Sequence, residues 1–378
     1  MVTAADLKKQ VGQLFLVGFE GLQVPSDFEH AIREYHLGGT IYFKRNVESP
    51  VQLAMLSNRL QFECRSKDLS PLLIAIDHEG GKVDRLSPPF THFPGMDLVG
   101  EIGSPKLAFH VGLAMGKELE AIGVNVDFAP VADVLTNPQN PIMAGRAFSS
   151  DPEMCAKMGS GVCRGLQKSG VAAVAKHFPG HGDTSEDSHL TLPSVERTLA
   201  ESEAIEFVPF RRLIRSRVEG VMTAHILNRK LDPDFPATLS PKIINDILRA
   251  QLRFQKVVFS DDMEMKAISD NYGVEDSAVL AIKAGCDMLI YRGDSGFPVA
   301  AYEAIIKAVE DRKLSKERIE ISVQRILNLK KTYTQNLKPI EMAQLEKKIG
   351  LPEHQALAEA ILKKELPKSL FEENTEEP

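Results

Sequence analysis

Val171-Ala172-Ala173-Val174-Ala175-Lys176-His177 is the stretch on which the fold turns: five apolar residues run without alternation into a lysine and a histidine. A run of this kind suits a strand buried on both faces, as in a parallel sheet, and its polar end marks where the strand emerges. Seven further runs have a similar form, namely Leu14–Phe19, Gly39–Phe43, Leu72–Asp77, Val124–Pro130, Gly220–His225, Lys256–Asp261 and Asp287–Tyr291. Between them lie segments with apolar residues at i, i+3 and i+4: Pro50–Cys64, Lys106–Ile122, Pro152–Ser169, Thr198–Arg217, Pro241–Gln251, Val274–Ala284 and Pro298–Asp311. Eight strands alternating with helices predict an α/β fold of the (β/α)8 barrel type, with an open doubly wound sheet as the alternative. Residues 1–335 are expected to form the barrel. After Thr334 the pattern changes to a helix-like stretch Pro339–Lys348, a break at Gly350-Leu351-Pro352 and an amphipathic stretch Glu353–Glu365. Residues 336–378 therefore read as a C-terminal helical extension ending in an acidic tail, Glu372–Pro378, expected to be disordered.

Of the 378 residues 43% are hydrophobic and 26% charged, enough apolar material for a sizeable core and too much for a disordered or fibrous chain. A net charge of −7 without a basic stripe argues against a nucleic-acid partner and in favour of a neutral or polar small ligand. Cys64, Cys155, Cys163 and Cys286 are too scattered for a disulfide scaffold or a zinc site, and read as reduced, mostly buried thiols. Charges follow within a few residues of the start and no 18-residue apolar stretch occurs, so neither a signal peptide nor a membrane partner is expected. The chain is read as cytoplasmic, soluble and monomeric.

In a (β/α)8 barrel the chemistry sits where the strands end and the following loops converge. The polar clusters fall there: Asp77-His78-Glu79-Gly80-Gly81 after the third run, Lys176 through His189 after the fifth, His225 after the sixth, and Ser260-Asp261-Asp262 after the seventh. The segment 176–189 holds three histidines, and Pro179, Gly180 and Gly182 suit a loop able to change conformation. His177, His181, Asp183 and His189 are metal-ligand types, but the spacing is not a two-histidine helical pattern and the glycines oppose a rigid cage. No metal and no cofactor is expected. Asp187 and His189, two residues apart in extended backbone, would point to one side, so the carboxylate could orient the imidazole. An imidazole with a pKa near ~6.5 can give a proton to a leaving group and take one from water. Asp261, at a strand end, is placed to act as nucleophile; the competing reading is a helix N-cap, which Asp262 could equally serve.

Lys176-His177-Phe178-Pro179-Gly180-His181-Gly182-Asp183-Thr184, followed by Asp187-Ser188-His189 and Leu192-Pro193, resembles the loop of family 3 glycoside hydrolases of the NagZ-type β-N-acetylglucosaminidase branch. The likeness extends from about Leu14 to about Arg292 through Ile76–Gly81, Gly145–Phe148 with Asp151-Pro152, and Ser260–Met265. It implies that Asp261 is the nucleophile, that Asp187 and His189 are the acid/base pair, and that Asp77, Arg85, Arg146, Lys176 and His177 hold the hydroxyls and acetamido group of the sugar. It implies also a retaining exo-β-N-acetylglucosaminidase, acting without cofactor on small glycosides from cell-wall recycling. The chain departs from the family pattern at His78, Lys82, Ala147, Ser149 and Met263, none of them a proposed catalytic group. The rival readings are a β-glucosidase or phosphorylase on the same barrel, and a non-catalytic sugar-binding protein. His225 reads equally as a rim histidine or a sugar contact, while His30, His36, His92, His110 and His354 read as surface or helix residues without function. Asp127 and Asp133 are expected to hold the site's loops by hydrogen bonds rather than to take part in chemistry.

Overall fold

The computed structural model describes residues 4–188 and 191–367. Its strands are β1 (Phe15–Val17), β2 (Gly39–Tyr42), β3 (Leu73–Ile76), β4 (Val126–Asp127), β5 (Ala172–Phe178), β6 (Ser194–Val195), β7 (Gly220–Thr223), β8 (Leu227–Asn228), β9 (Val257–Asp262) and β10 (Met288–Tyr291). Eight of them close in the order β1-β10-β9-β7-β5-β4-β3-β2, every pairing parallel, which is the predicted (β/α)8 barrel. The remaining two, β6 and β8, form a small parallel ribbon in which Ser194 faces Leu227. Inside the barrel Phe128 and Phe259 meet edge to face at 5.5 Å, and both are fully buried. Continuous apolar strand runs are thus explained by burial on both faces, by the barrel interior and by the surrounding helices.

Helix starts follow a repeated device. Ser49, Ser104 and Asp151 each cap the next turn with a side-chain oxygen, and Pro50, Pro105 and Pro152 occupy the first helical position, where the missing N–H has no partner to lose. Two sequence expectations change in detail. The run Val124–Pro130 supplies a strand of two residues, and its pairing with β5 resumes beyond Pro130 as an isolated bridge between Val131 and Lys176. The expected helix Thr198–Arg217 is two helices, Leu199–Ala204 and Phe207–Arg215, with the break at Ile205, whose carbonyl Pro209 cannot bond.

Met342–Lys347 winds as a 3-10 helix where a helix-like stretch was expected, and Pro352–Leu362 forms the final helix. The acidic tail lies outside the described residues. All four cysteines are free and buried, and burial pushes the Cys64 thiol up to about 11 and the other three up to about 12. Among the described residues no helix is long and apolar enough to cross a membrane.

Candidate active site

At the end of β5 the Lys176 ammonium is 2% exposed and lies 2.6 Å from both Asp77 Oδ1 and Glu79 Oε1. Glu79, itself buried, also accepts a two-pronged pair from Arg146: Nε to Oε2 and a terminal nitrogen to Oε1, both at 2.7 Å. The strand ends of β3 and β5 thereby converge on the loop residue Arg146. Burial alone would raise the Glu79 carboxyl, but Arg146 and Lys176 hold it well below the usual carboxylate range. Burial by itself would lower Lys176, and Asp77 and Glu79 reverse that and raise it. Glu79 and Lys176 are therefore both ionised at neutral pH, their charges fixed in direction by charge-assisted hydrogen bonds.

Hydrogen-bond counting settles the histidine tautomers. Asp133 is an ionised acceptor, kept below its ordinary pKa despite its burial by His177 and His181. It accepts the His177 and His181 backbone N–H groups and lies 2.7 Å from His177 Nδ1, so Nδ1 carries the proton. His177 Nε2 is then an acceptor, 3.4 Å from an Arg146 nitrogen. Thr184 gives its hydroxyl proton to the His181 carbonyl and accepts from Asn140, so His181 Nδ1, 2.8 Å away, must donate to it. Burial and the nearby His177 push His181 down to about 4, leaving it neutral, with Nε2 accepting from the Ser188 hydroxyl at 3.2 Å. Asp183 is held by Arg197 through bonds of 2.9 and 3.1 Å and by the Thr136 hydroxyl. A Cβ at Gly182 would lie 1.7 Å from the Val134 carbonyl oxygen, so that position of the loop requires glycine.

Asp261, near the end of β9, accepts the backbone N–H of Asp262 at 2.8 Å. It lines a cavity of about 110 Å³ together with Asp77, Arg85, Arg146, Lys176, His177 and His181. An adjoining cavity of about 380 Å³ shares Asp77, Arg85 and Asp261 and extends toward Arg45 and Arg292. A larger cavity, about 610 Å³, lies at the opposite end of β4 against Tyr333 and Leu337, so volume does not mark the site; convergence of ionisable groups does.

Six of the eight residues predicted for the site, Asp77, Arg85, Arg146, Lys176, His177 and Asp261, come together in that one cavity. Asp187 is described but is not among its lining residues; its backbone carbonyl accepts the Thr191 N–H at 3.1 Å. His189 lies outside the described residues. His177, His181 and Asp183 are engaged with Asp133, Thr184 and Arg197, and among the described residues no group of three or more acids, histidines or cysteines is placed to hold a metal. His225 is fully buried, 2.8 Å from the Thr238 hydroxyl and 2.9 Å from the Asp262 carbonyl, so it fixes the end of β9 rather than meeting a ligand.

Glu79 was missed by the sequence reading, although Asp77-His78-Glu79 places two acids on one side of an extended backbone. The signal lay in the charges: Lys176, Arg146 and Arg85 are three cations, and Asp77 alone cannot neutralise them. Asp262 takes the turn role, its Oδ1 accepting from the N–H groups of Glu264 and Arg292 while Oδ2 has no hydrogen-bond partner among the described residues. Burial pushes its carboxyl up to about 8, so the Asp261–Asp262 step is not doubly charged at neutral pH. The folded protein keeps a proton that the unfolded chain has released between about pH 4 and 8, so stability falls as pH rises through that window. Asp262→Asn keeps an oxygen acceptor and removes the titration. Its stability relative to wild type should rise by at least about 1 kcal/mol between pH 5 and 8.5 in denaturant unfolding, and a constant difference would refute the assignment.

A parallel barrel with a carboxylate at one strand end, facing an ionised acid and cation cluster across a cavity, defines a barrel enzyme whose site lies at the C-terminal mouth. Residues 6–329 match the family described as Glycosyl hydrolase family 3 N terminal domain, and the chain belongs to that family. It is 34% identical over 358 residues to β-hexosaminidase A of Pseudoalteromonas piscicida, covering 88% of this chain but 59% of that protein. Among solved structures, the family 3 β-N-acetylglucosaminidase of Paenibacillus sp. str. FPU-7 is 42% identical with a TM-score of 0.92, over 95% of this chain and 68% of that one. NagZ of Neisseria gonorrhoeae, solved with N-trifluoroacetyl-D-glucosamine, is 27% identical with a TM-score of 0.74, over 93% of this chain and 98% of that one.

Proposed function

We propose that the protein is a retaining exo-β-N-acetylglucosaminidase that releases terminal N-acetylglucosamine from peptidoglycan-derived muropeptides in the cytoplasm, working as a monomer without cofactor. The observation that carries the reading is the cavity that joins Asp261 to Asp77, Arg146, Lys176 and His177, the last four being positions that match sugar-holding residues of the family. Solution of the Neisseria relative with an N-acylated glucosamine supports a 2-acetamido sugar as ligand. In this mechanism Asp261 attacks the anomeric carbon while His189, oriented by Asp187, protonates the departing oxygen. His189 then takes a proton from water, which displaces Asp261 from the glycosyl-enzyme. Lys176 and Asp77, held 2.6 Å apart, offer a donor and an acceptor to neighbouring hydroxyls, and Glu79 holds Lys176 and Arg146 in place.

The first test is hydrolysis of a chromogenic aryl β-N-acetylglucosaminide between pH 5 and 8, in phosphate and in a zwitterionic buffer. No release would favour a sugar-binding protein, and sugar-1-phosphate formed in phosphate would make the enzyme a phosphorylase. The acid role of His189 has its own signature. His189→Ala should lose little in the first step on glycosides of acidic phenols and about 10²–10⁴-fold on alkyl leaving groups, which need the proton. Equal losses on both would move the acid role to Asp183 or Glu186.

A further inference from the structure

The loop that follows β3 carries Asp77, Glu79 and Arg85, and it is tied from behind by residues outside the family-matched region. Glu118, on the helix Pro105–Ala121, is 2% exposed and its carboxylate gathers four donors. The Thr91 hydroxyl and backbone N–H donate at 2.7 and 2.9 Å, the Gly350 N–H at 3.1 Å, and His354 Nδ1 at 2.7 Å. Thr91 belongs to the substrate loop, whereas Gly350 and His354 belong to the C-terminal segment beyond residue 329. Although burial alone would raise the Glu118 carboxyl, His354 and Thr91 hold it below its usual value, so the acceptor is ionised and its hydrogen bonds are charge-assisted. His354, read from the sequence as a surface or helix residue, lies on the helix Pro352–Leu362 and is 4% exposed, its imidazole turned inward to donate to a buried carboxylate.

The tie continues toward the site. His92, next to Thr91, is 2.6 Å from Asp84 Oδ2, and Asp84 Oδ1 accepts the Leu86 N–H and lies 3.2 Å from His78 Nδ1. Asp84 therefore connects the two ends of the loop, one beside Asp77 and the other beside Thr91, with Arg85 between them. Gly350 also packs directly on this loop: its φ is +64° and a Cβ there would lie 2.2 Å from the Pro89 carbonyl oxygen, so another residue would push the two segments apart. The segment has an anchorage of its own. Asn58 brackets the Ile340 backbone with bonds of 3.0 and 2.8 Å, and Leu345, Leu357 and Ile361 are buried.

We propose that residues 340–362 brace the substrate loop, with His354 and Gly350 acting through Glu118 and Thr91 as positioning residues that set Asp77 and Arg85 for sugar binding. This rests on the reading of the cavity as the sugar site. A brace of this kind affects binding geometry more than the chemical step, which separates it from the acid/base and nucleophilic groups.

The test uses the full chain with an aryl β-N-acetylglucosaminide. His354→Ala should raise KM about tenfold and leave kcat within about threefold, while His354→Gln, which can still donate to Glu118, should recover most of the loss. Hydrogen exchange should quicken in peptides covering 84–93. Arg85→Ala and His354→Ala should combine to less than the product of their separate effects, because both act on one loop. If His354→Ala does not fold, Thr91→Val interrogates the same carboxylate with the C-terminal helix still docked. Unchanged KM and unchanged exchange in a folded variant, or full additivity with Arg85→Ala, would overturn the brace. A wild-type protein inactive on every β-N-acetylglucosaminide would instead overturn the functional reading, and the exchange measurement would still decide whether the loop is braced.

Discussion

Replacing Asp261 with alanine is expected to lower kcat on an aryl β-N-acetylglucosaminide by on the order of 10⁴-fold or more while the protein stays folded. The size of the effect follows from the proposed role, since without the carboxylate no glycosyl-enzyme can form and water must attack unaided. Retention of the fold follows from what surrounds the residue. Asp262, not Asp261, caps the turn after β9 by accepting from Glu264 and Arg292, and His225 holds the Asp262 carbonyl from below. Asp261 sits where both cavities meet, so its truncation enlarges a solvent-filled space rather than the packed core. Azide should partly restore turnover of activated substrates by occupying the vacated position and giving the inverted glycosyl azide. In wild type, a 2-fluoro glycoside should label the peptide bearing Asp261. Label on Asp262, or an alanine variant retaining more than a few per cent of activity, would show the nucleophile to be elsewhere.

The barrel was legible because strands buried on both faces leave continuous apolar runs, and because polar residues recur at the same end of successive runs, at Asp77, Lys176-His177 and Asp261. What escaped the sequence depends on contacts between distant positions. Glu79 meets Arg146 and Lys176, 67 and 97 residues further along, and nothing in its immediate surroundings announces either partner. His354 reads as one polar residue of an amphipathic helix until the fold brings Glu118 to it across 236 residues. The break at Ile205 was visible in principle, since Pro209 removes the i→i−4 bond, but the apolar period of Thr198–Arg217 continues through it and masks the interruption. Asp133 was foreseen as a loop anchor; that it fixes which nitrogen of His177 bears the proton follows only from the fold, which brings the two to 2.7 Å across 44 residues.

The second large effect is expected at Glu79. Glu79→Gln preserves shape but replaces one carboxylate oxygen by an amide N–H₂, which in either orientation faces a donor of Arg146 and in one of them Lys176 as well. Lys176 would keep Asp77, but Arg146 would lose its two-pronged partner in a nearly dry setting. Breaking a buried pair by removing one member costs about 3–5 kcal/mol, far more than a surface pair is worth, because the remaining charge is left unneutralised. Activity should fall with stability, since Lys176 and Arg146 line the cavity and depend on Glu79 for direction. The pH dependence separates this account from simple loss of packing. Glu79 is held well below its ordinary value of 4.5, so its contribution is complete above that pH and declines as pH falls toward the folded value. Lys176 is raised above 10.5, so its contribution is complete below that pH and is lost as pH rises through its folded value. The stability gap between wild type and Glu79→Gln should therefore be flat from about pH 5 to 10 and should narrow below about pH 4.5. Denaturant unfolding at pH 3.5, 5 and 7 reads this directly. A gap that is unchanged at pH 3.5 would mean that Glu79 contributes through shape and not through charge.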